Sequence, residues 1–363
     1  MQRIFWTLAF SFLFCSDFAG AQELSFEAYN PESTLVVPEN PVTRAKFPVV
    51  DIHSHHYNMP EQDLSALIAA MDSLNLAVLV NLSGGSGAKI QGAMANIQKN
   101  YPNRFLLFAN VDFNGVGEPG WGSRAAAQLR EDVANGAVGL KIFKSLGLRN
   151  KDVKGNRIAV DDPRLDPVWE MCATLGIPVL IHSADPRSFW DPMDEKNERW
   201  LELKTRPRRK RSDTDPAAWQ QIIDEQHNLF RKHSGTIFIN AHMGWYANNL
   251  DKLSELMEEF PNMYVGIGAI IAELGRQPRR ARAFFIRYQD RILFGKDSWQ
   301  PSEFPTYFRV LETADEYFPY HKKYHAFWAM YGMDLPDDVL RKVYYQNALK
   351  ILPKLDASLF ENK

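Results

Sequence analysis

Between residues 49 and 297 the chain alternates short, nearly unbroken apolar runs with longer segments whose apolar positions recur every three or four residues. The unbroken runs predict strands at Val49 to His53, Leu76 to Leu82, Phe105 to Asp112, Ala137 to Phe143, Pro178 to His182, Thr236 to His242, Met263 to Gly268 and Ile292 to Asp297. The periodic segments predict helices at Leu64 to Leu74, Ala125 to Ala134, Leu165 to Leu175, Trp219 to Lys232, Leu250 to Phe260 and Arg280 to Tyr288. Strands that are apolar on both faces belong in a parallel sheet covered by helices, and eight such units close most naturally into a barrel. The expected fold class is α/β, a single-domain TIM-like (β/α)8 barrel over residues 49–355. Helices within Thr306 to Phe318 and Asp337 to Leu352 would pack outside it, after a loosely structured arm at 22–48 and before a tail at 356–363.

Two stretches exceed ordinary barrel loops, Lys144 to Pro163 and Ala184 to Pro216. Both leave carboxyl ends of strands, where barrel enzymes build their sites. The insertion 184–216 carries Asp185, Arg187, Trp190, Asn197, Arg199 and Trp200, a mixture that serves either as a substrate-recognising lid or as packing on the barrel rim. Its basic run Pro207 to Arg211 reads as a solvated loop edge, because acidic residues precede it. Gly84 to Gly87 reads as a flexible loop beside the site, since no phosphate-loop lysine follows.

The first residues have the form of a leader: Arg3 supplies charge, Ile4 to Cys15 is apolar, and Ala19-Gly20-Ala21 is a small-residue cleavage site. A signal peptide at 1–21 is expected, and with it export to the periplasm or beyond. No later segment approaches the roughly 20 apolar residues of a membrane span, so stable membrane insertion is not expected. Removal of the leader leaves Cys172 without a disulfide partner, and its place in a helical pattern reads as a small buried residue. With 42 basic against 44 acidic residues, neither charge sign dominates. That argues against nucleic acid and for a small-molecule substrate, and it is compatible with a homo-oligomer.

Candidate chemistry sits at the strand ends. In VVDIHSHH, the two-residue spacing of His53 and His55 puts both imidazoles on one strand face, half of a tetrahedral metal site or, more plainly, a polar strand end. His182 ends PVLIH, His242 ends TIFINAH and Asp297 ends RILFGKD, each at the carboxyl end of a predicted strand. Asp51 shares the face of His53 and His55 and reads either as an orienting group or as a buried structural carboxylate. His227, His233, His321 and His325 fall in helical or loop patterns and read as surface or second-layer residues.

DIHSHH, GLKIF, IHSADP, NAHMGW, LFGKDSW and YYQNALKIL, in that order, resemble the amidohydrolase superfamily, and more closely its amidohydrolase-2 branch. That branch also contains metal-dependent decarboxylases related to aminocarboxymuconate semialdehyde decarboxylase. The resemblance implies one divalent metal, zinc first and manganese second, held by His53, His55, His182 and Asp297, with His242 near metal and substrate. A metal there would acidify water, Asp297 would accept its proton, and His242 would stabilise an oxyanion or donate a proton, a fourth nitrogen ligand being its alternative role. Lys141 is expected to bind a substrate carboxylate, as is Arg187. The alternatives for Lys141 are a carboxylated bridge between two metals and a pairing with Asp112. The expected activity is hydrolysis of a small-molecule amide, ester or lactone, with non-oxidative decarboxylation of a carboxylic acid as the alternative. Export tilts the choice toward hydrolysis.

Overall fold

The structure is a computed structural model that describes residues 24–361. The expected leader at 1–21 lies outside them. Residues 24–35 hold a single 3-10 turn, Phe26–Ala28. From Val36 onward the chain forms one compact unit.

Eight strands run in sequence order as one parallel sheet: β1 Val49–Ser54, β2 Leu76–Asn81, β3 Phe105–Asn110, β4 Gly139–Ile142, β5 Val179–Ile181, β6 Phe238–Asn240, β7 Met263–Gly266 and β8 Ile292–Leu293. Ile52 N–H donates to the Phe294 carbonyl at 3.1 Å and Asp297 N–H to the His53 carbonyl at 2.7 Å, which closes the sheet between its first and last members. The helices that follow the strands are α1 Ser65–Leu74, α2 Ala88–Asn100, α3 Trp121–Ala134, α4 Asp166–Leu175, α5 Trp219–Lys232, α6 Leu250–Glu259, α7 Pro278–Arg287 and α8 Phe304–Glu312. This is the expected (β/α)8 barrel. Helix ends follow local chemistry: Asn75 and Gly176 stop α1 and α4 in the left-handed conformation, and the Asn249 side chain accepts the Lys252 N–H at the start of α6.

The later strands are shorter than their apolar runs. β6 stops at Asn240 because His242, Met243 and Gly244 all adopt left-handed backbone, and β8 stops at Leu293, four residues before Asp297 at φ +82°. The ends of those runs leave the ladder to present side chains above the barrel. Helix α2 has no counterpart among the predicted helices, because Gly92 and polar residues dilute its stripe of Ile90, Ala93 and Ile97.

Residues 40–48 are not the loose lead-in that composition implied. Asn40 donates to Asp315 from both its backbone and side chain, Phe47 is buried under Arg341, and the Ala45 carbonyl accepts from Asn75. Asp337 to Leu352 is not one regular helix either: a π-turn at Lys342–Gln346 interrupts it. The Val343 carbonyl there receives the Phe294 N–H, and Asn347 donates to the Ile292 carbonyl, so this segment ties down the chain at β8. Phe360 in the tail is buried and stacks on Tyr345.

His227 on α5 is buried between Tyr246 and Phe260, and burial brings its pKa down to about 4 from 6.5. Between those values the unfolded chain binds a proton that the folded chain refuses, so stability falls as pH drops through that window. At about pH 5 the cost at this residue is on the order of 2 kcal/mol. Denaturant unfolding of His227→Phe should lose correspondingly less stability than the parent between about pH 7 and about pH 5. An unchanged loss would mean that His227 accepts its proton in the fold.

Candidate active site

The site begins with a buried carboxylate that touches no imidazole. Asp51 Oδ1 accepts the backbone N–H of His53 at 2.9 Å and of Lys296 at 3.1 Å, locking β1 to the chain after β8. Burial raises the Asp51 carboxyl to about 7 in spite of those two amides. Of the two roles open to it, Asp51 takes the structural one. Gly295 serves the same junction, since a Cβ there would lie 2.9 Å from the Cβ of His53.

Backbone strain gathers on the same rim. Ala184, His242, Met243, Trp245, Ala269 and Asp297 all have positive φ, and all follow strands β5 to β8. Each non-glycine residue held there costs roughly 1–2 kcal/mol, a cost typical of positions where geometry serves function.

The imidazoles form an ordered set. A carbonyl can only accept, so the 2.7 Å contact of His242 Nδ1 with the Gly268 oxygen puts the proton on Nδ1. Its Nε2 is then a lone pair, and it receives the Nδ1–H of His182 at 3.2 Å. By the same logic His182 Nε2 carries a lone pair, and it is buried without a hydrogen-bond partner. His55 Nδ1 meets Ser83 Oγ at 2.8 Å, which turns its Nε2 toward Asp297 Oδ1, 3.6 Å away. His53 Nε2 stands 3.4 Å from the same oxygen, and both nitrogens of that ring are buried without hydrogen bonds. Burial is the main cause that holds His53 and His182 well below the usual histidine range and brings His55 and His242 to about 4. All four rings are therefore neutral at pH 7, the form that ligates metal.

For Asp297, burial works to raise the pKa, yet His242, His55, Lys141 and Lys322 lower it below the usual carboxylate value. Because the imidazoles are neutral at pH 7, the cations that act there are Lys322 and the protonated fraction of Lys141. Ligand atoms of His53, His55 and Asp297 converge within 4.8 Å of one another. Of the four expected ligands the structure thus gathers three, and His182 joins them through His242 rather than through Asp297. Unpartnered imidazole nitrogens around an ionised carboxylate fit a divalent cation, since each neutral ring offers one lone pair and those of His53 and His182 have no hydrogen-bond partner.

Lys141 lies on β4 between Asn110 and Leu180. Its ammonium is buried, has no hydrogen-bond partner and sits 5.5 Å from the centre of the Phe143 ring. Burial draws its pKa down to about 7. The alternative pairing with Asp112 is not formed; Asp112 lines a separate cavity with Asn110 and Trp121.

A cavity of about 210 Å³ opens above His182, His242 and Asp297. Its walls come from the insertion, through Asp185, Arg199, Glu202 and Arg209, and from the segment after α8, through Lys322, Tyr324 and His325. Arg187, expected to bind substrate, does not line it. Arg187 pairs with Asp191 at 3.2 Å and faces a neighbouring cavity of about 180 Å³. The basic run Pro207 to Arg211 also departs from its reading as a solvated edge, because Arg209 pairs with buried Glu202 and Arg211 with buried Asp185. The Gly85 and Gly87 amides are engaged by Asn110 and Asp132, consistent with a plain loop. Cys172 is fully buried with its thiol pKa raised by burial, as its helical pattern implied.

Sequence reasoning missed Ser83, Lys144, Glu202, Lys322 and Tyr324 as members of the site. Ser83 and Lys144 directly follow predicted strands but carry no metal-ligand side chain, and Glu202, Lys322 and Tyr324 follow no predicted strand. The dense polar and aromatic string YHKKYH at Tyr320 to His325 is the one signal that marked its segment.

A family model described as Amidohydrolase matches residues 38–354. No curated protein matches the sequence. Among solved structures, a 2,6-dihydroxybenzoate decarboxylase complexed with 2,6-dihydroxybenzoate is 14% identical with TM-score 0.53, over 84% of this chain and 99% of that one. A dihydroxybenzoic acid decarboxylase from Polaromonas sp. JS666, with bound manganese and 2-nitroresorcinol, is 14% identical with TM-score 0.53, over 87% and 99%. A TIM-barrel protein from Bordetella bronchiseptica is 13% identical with TM-score 0.52, over 84% and 98%. At these identities the three share the fold. With most of its length matched by the family model and its histidines and aspartate gathered above the barrel, the chain belongs to the amidohydrolase family, in its amidohydrolase-2 branch.

Proposed function

We propose that the site holds one divalent cation, zinc or manganese, on His53, His55, His182 and Asp297 and hydrolyses an amide, ester or lactone bond in a small molecule. The observation that carries this reading is Asp297, a carboxylate kept ionised at the point where two imidazoles converge. A bound cation supplies Lewis-acid polarisation and an acidified water. Asp297 accepts the proton of the attacking water and returns it to the leaving group. The Gly268 carbonyl holds the His242 Nδ1–H and the His242 Nε2 accepts the Nδ1–H of His182, so His242 orients that ring and leaves the His182 Nε2 lone pair for the cation. Trp245 stacks on His242 with 4.5 Å between ring centres and limits water at that ring.

Decarboxylation is the second reading, favoured by the buried Lys141 ammonium, which would hold a carboxylate beside the cation. The purified chain loaded with zinc or manganese should be offered esters, lactones, amides and aromatic carboxylic acids in water enriched in heavy oxygen. Heavy oxygen in an acid product supports hydrolysis. Carbon dioxide release with a carbon–hydrogen bond in the product would replace it with decarboxylation.

A further inference from the structure

Most cations of the cavity wall are already committed. Lys144 and Arg211 share Asp185. Arg199 binds Glu202 at 2.9 Å and also Glu273, while Arg209 takes the other oxygen of Glu202. Below the rim, Lys296 pairs with Glu303, which also faces His321 at 3.4 Å. Lys322 differs from all of these. The acid within 4 Å of its ammonium is Glu303, at 3.9 Å, beyond hydrogen-bond reach and already shared. Yet the Lys322 side chain is only 12% exposed, and it lines the cavity together with Asp297 and Ser298. An ammonium withdrawn from water without a bonded anion is unfavourable unless something else completes it.

We propose that Lys322 is a specificity-determining residue that receives a carboxylate of the substrate, at a point apart from the bond that is cleaved. The inference rests on the reading of this cavity as the substrate site. The group is a carboxylate rather than a phosphate ester. Lys322 offers a single point charge, which matches a monoanion, whereas the guanidinium forks of Arg199 and Arg209 that would suit a phosphate are occupied by Glu202 and Glu273. The substrate is then a small molecule with an acid group at one end and the scissile bond at the other. Lys322 takes the part expected of Arg187.

Calorimetric titration of the full chain, metal-free and zinc-loaded, with isophthalate, glutarate, the neutral isophthalamide and phenyl phosphate tests this without a known substrate. The dicarboxylates should bind, and Lys322→Met should weaken them by at least about tenfold while Lys322→Arg restores most of the loss. Isophthalamide binding should be equal in parent and Lys322→Met, an equality that a disturbed fold would not give. Equal dicarboxylate affinity in Lys322→Met, no dicarboxylate binding by the parent, or tighter binding of phenyl phosphate than of the carboxylates would each overturn the proposal. Because the readout is binding, it stands or falls separately from the hydrolysis assay.

Discussion

Asp297→Asn should lower turnover by roughly 10³-fold, within the range expected when a positioned base is lost. Asparagine keeps the volume, and it tolerates the φ of +82° at this position better than alanine would. The substitution therefore removes charge without adding backbone strain. What disappears is the anion between His53 Nε2 at 3.4 Å and His55 Nε2 at 3.6 Å, and with it both the proton acceptor and a charged metal ligand. Turnover on whichever substrate the screen identifies, read beside circular dichroism, checks the point. Turnover within about tenfold of the parent in a folded Asn variant would assign the base elsewhere.

Arg199→Met should destabilise the fold by about 3–5 kcal/mol, the usual cost of stranding a buried charge by deleting its partner. Arg199 is buried and is bonded to Glu202, Glu273 and His325 Nδ1. Its guanidinium also lies 5.2 Å from the ring of Trp328, in the segment that carries Lys322. Removing it leaves Glu273, 8% exposed, facing a thioether, and Glu202, 2% exposed, paired on one oxygen by Arg209. The wall formed by the insertion and the 318–330 segment would lose the charge that joins them. Denaturant midpoints at neutral pH measure the loss, and the triple variant with Glu202→Gln and Glu273→Gln should recover a substantial part of it. A single variant as stable as the parent would mean that those acids are satisfied without Arg199.

The barrel was legible because each strand is buried on both sides and so is written as an unbroken apolar run; Val78 to Val80 and Val179 to Ile181 are fully buried examples. His53 and His55 were legible from period-2 spacing, and His182, His242 and Asp297 from their places at the ends of such runs. Strand lengths were not, because an apolar run carries no mark of where the backbone turns left-handed, as it does at His242. The cavity wall was less visible still. Lys322 and His325 reach the site from a segment after α8, more than 110 residues from the insertion residues they face. Arg209 lay in a basic run whose carboxylate partner, Glu202, is indistinguishable in sequence from surface acids. Charge pairing across long separations leaves no local period, so periodicity could not find it.

The most direct measurement is the divalent metal content per chain, by elemental analysis of the purified protein prepared with zinc and manganese present. The account predicts close to one ion per chain, and a clear fall on replacing His182 or Asp297 with Ala while the barrel stays folded. No metal in the parent, or full occupancy in both variants, would contradict it.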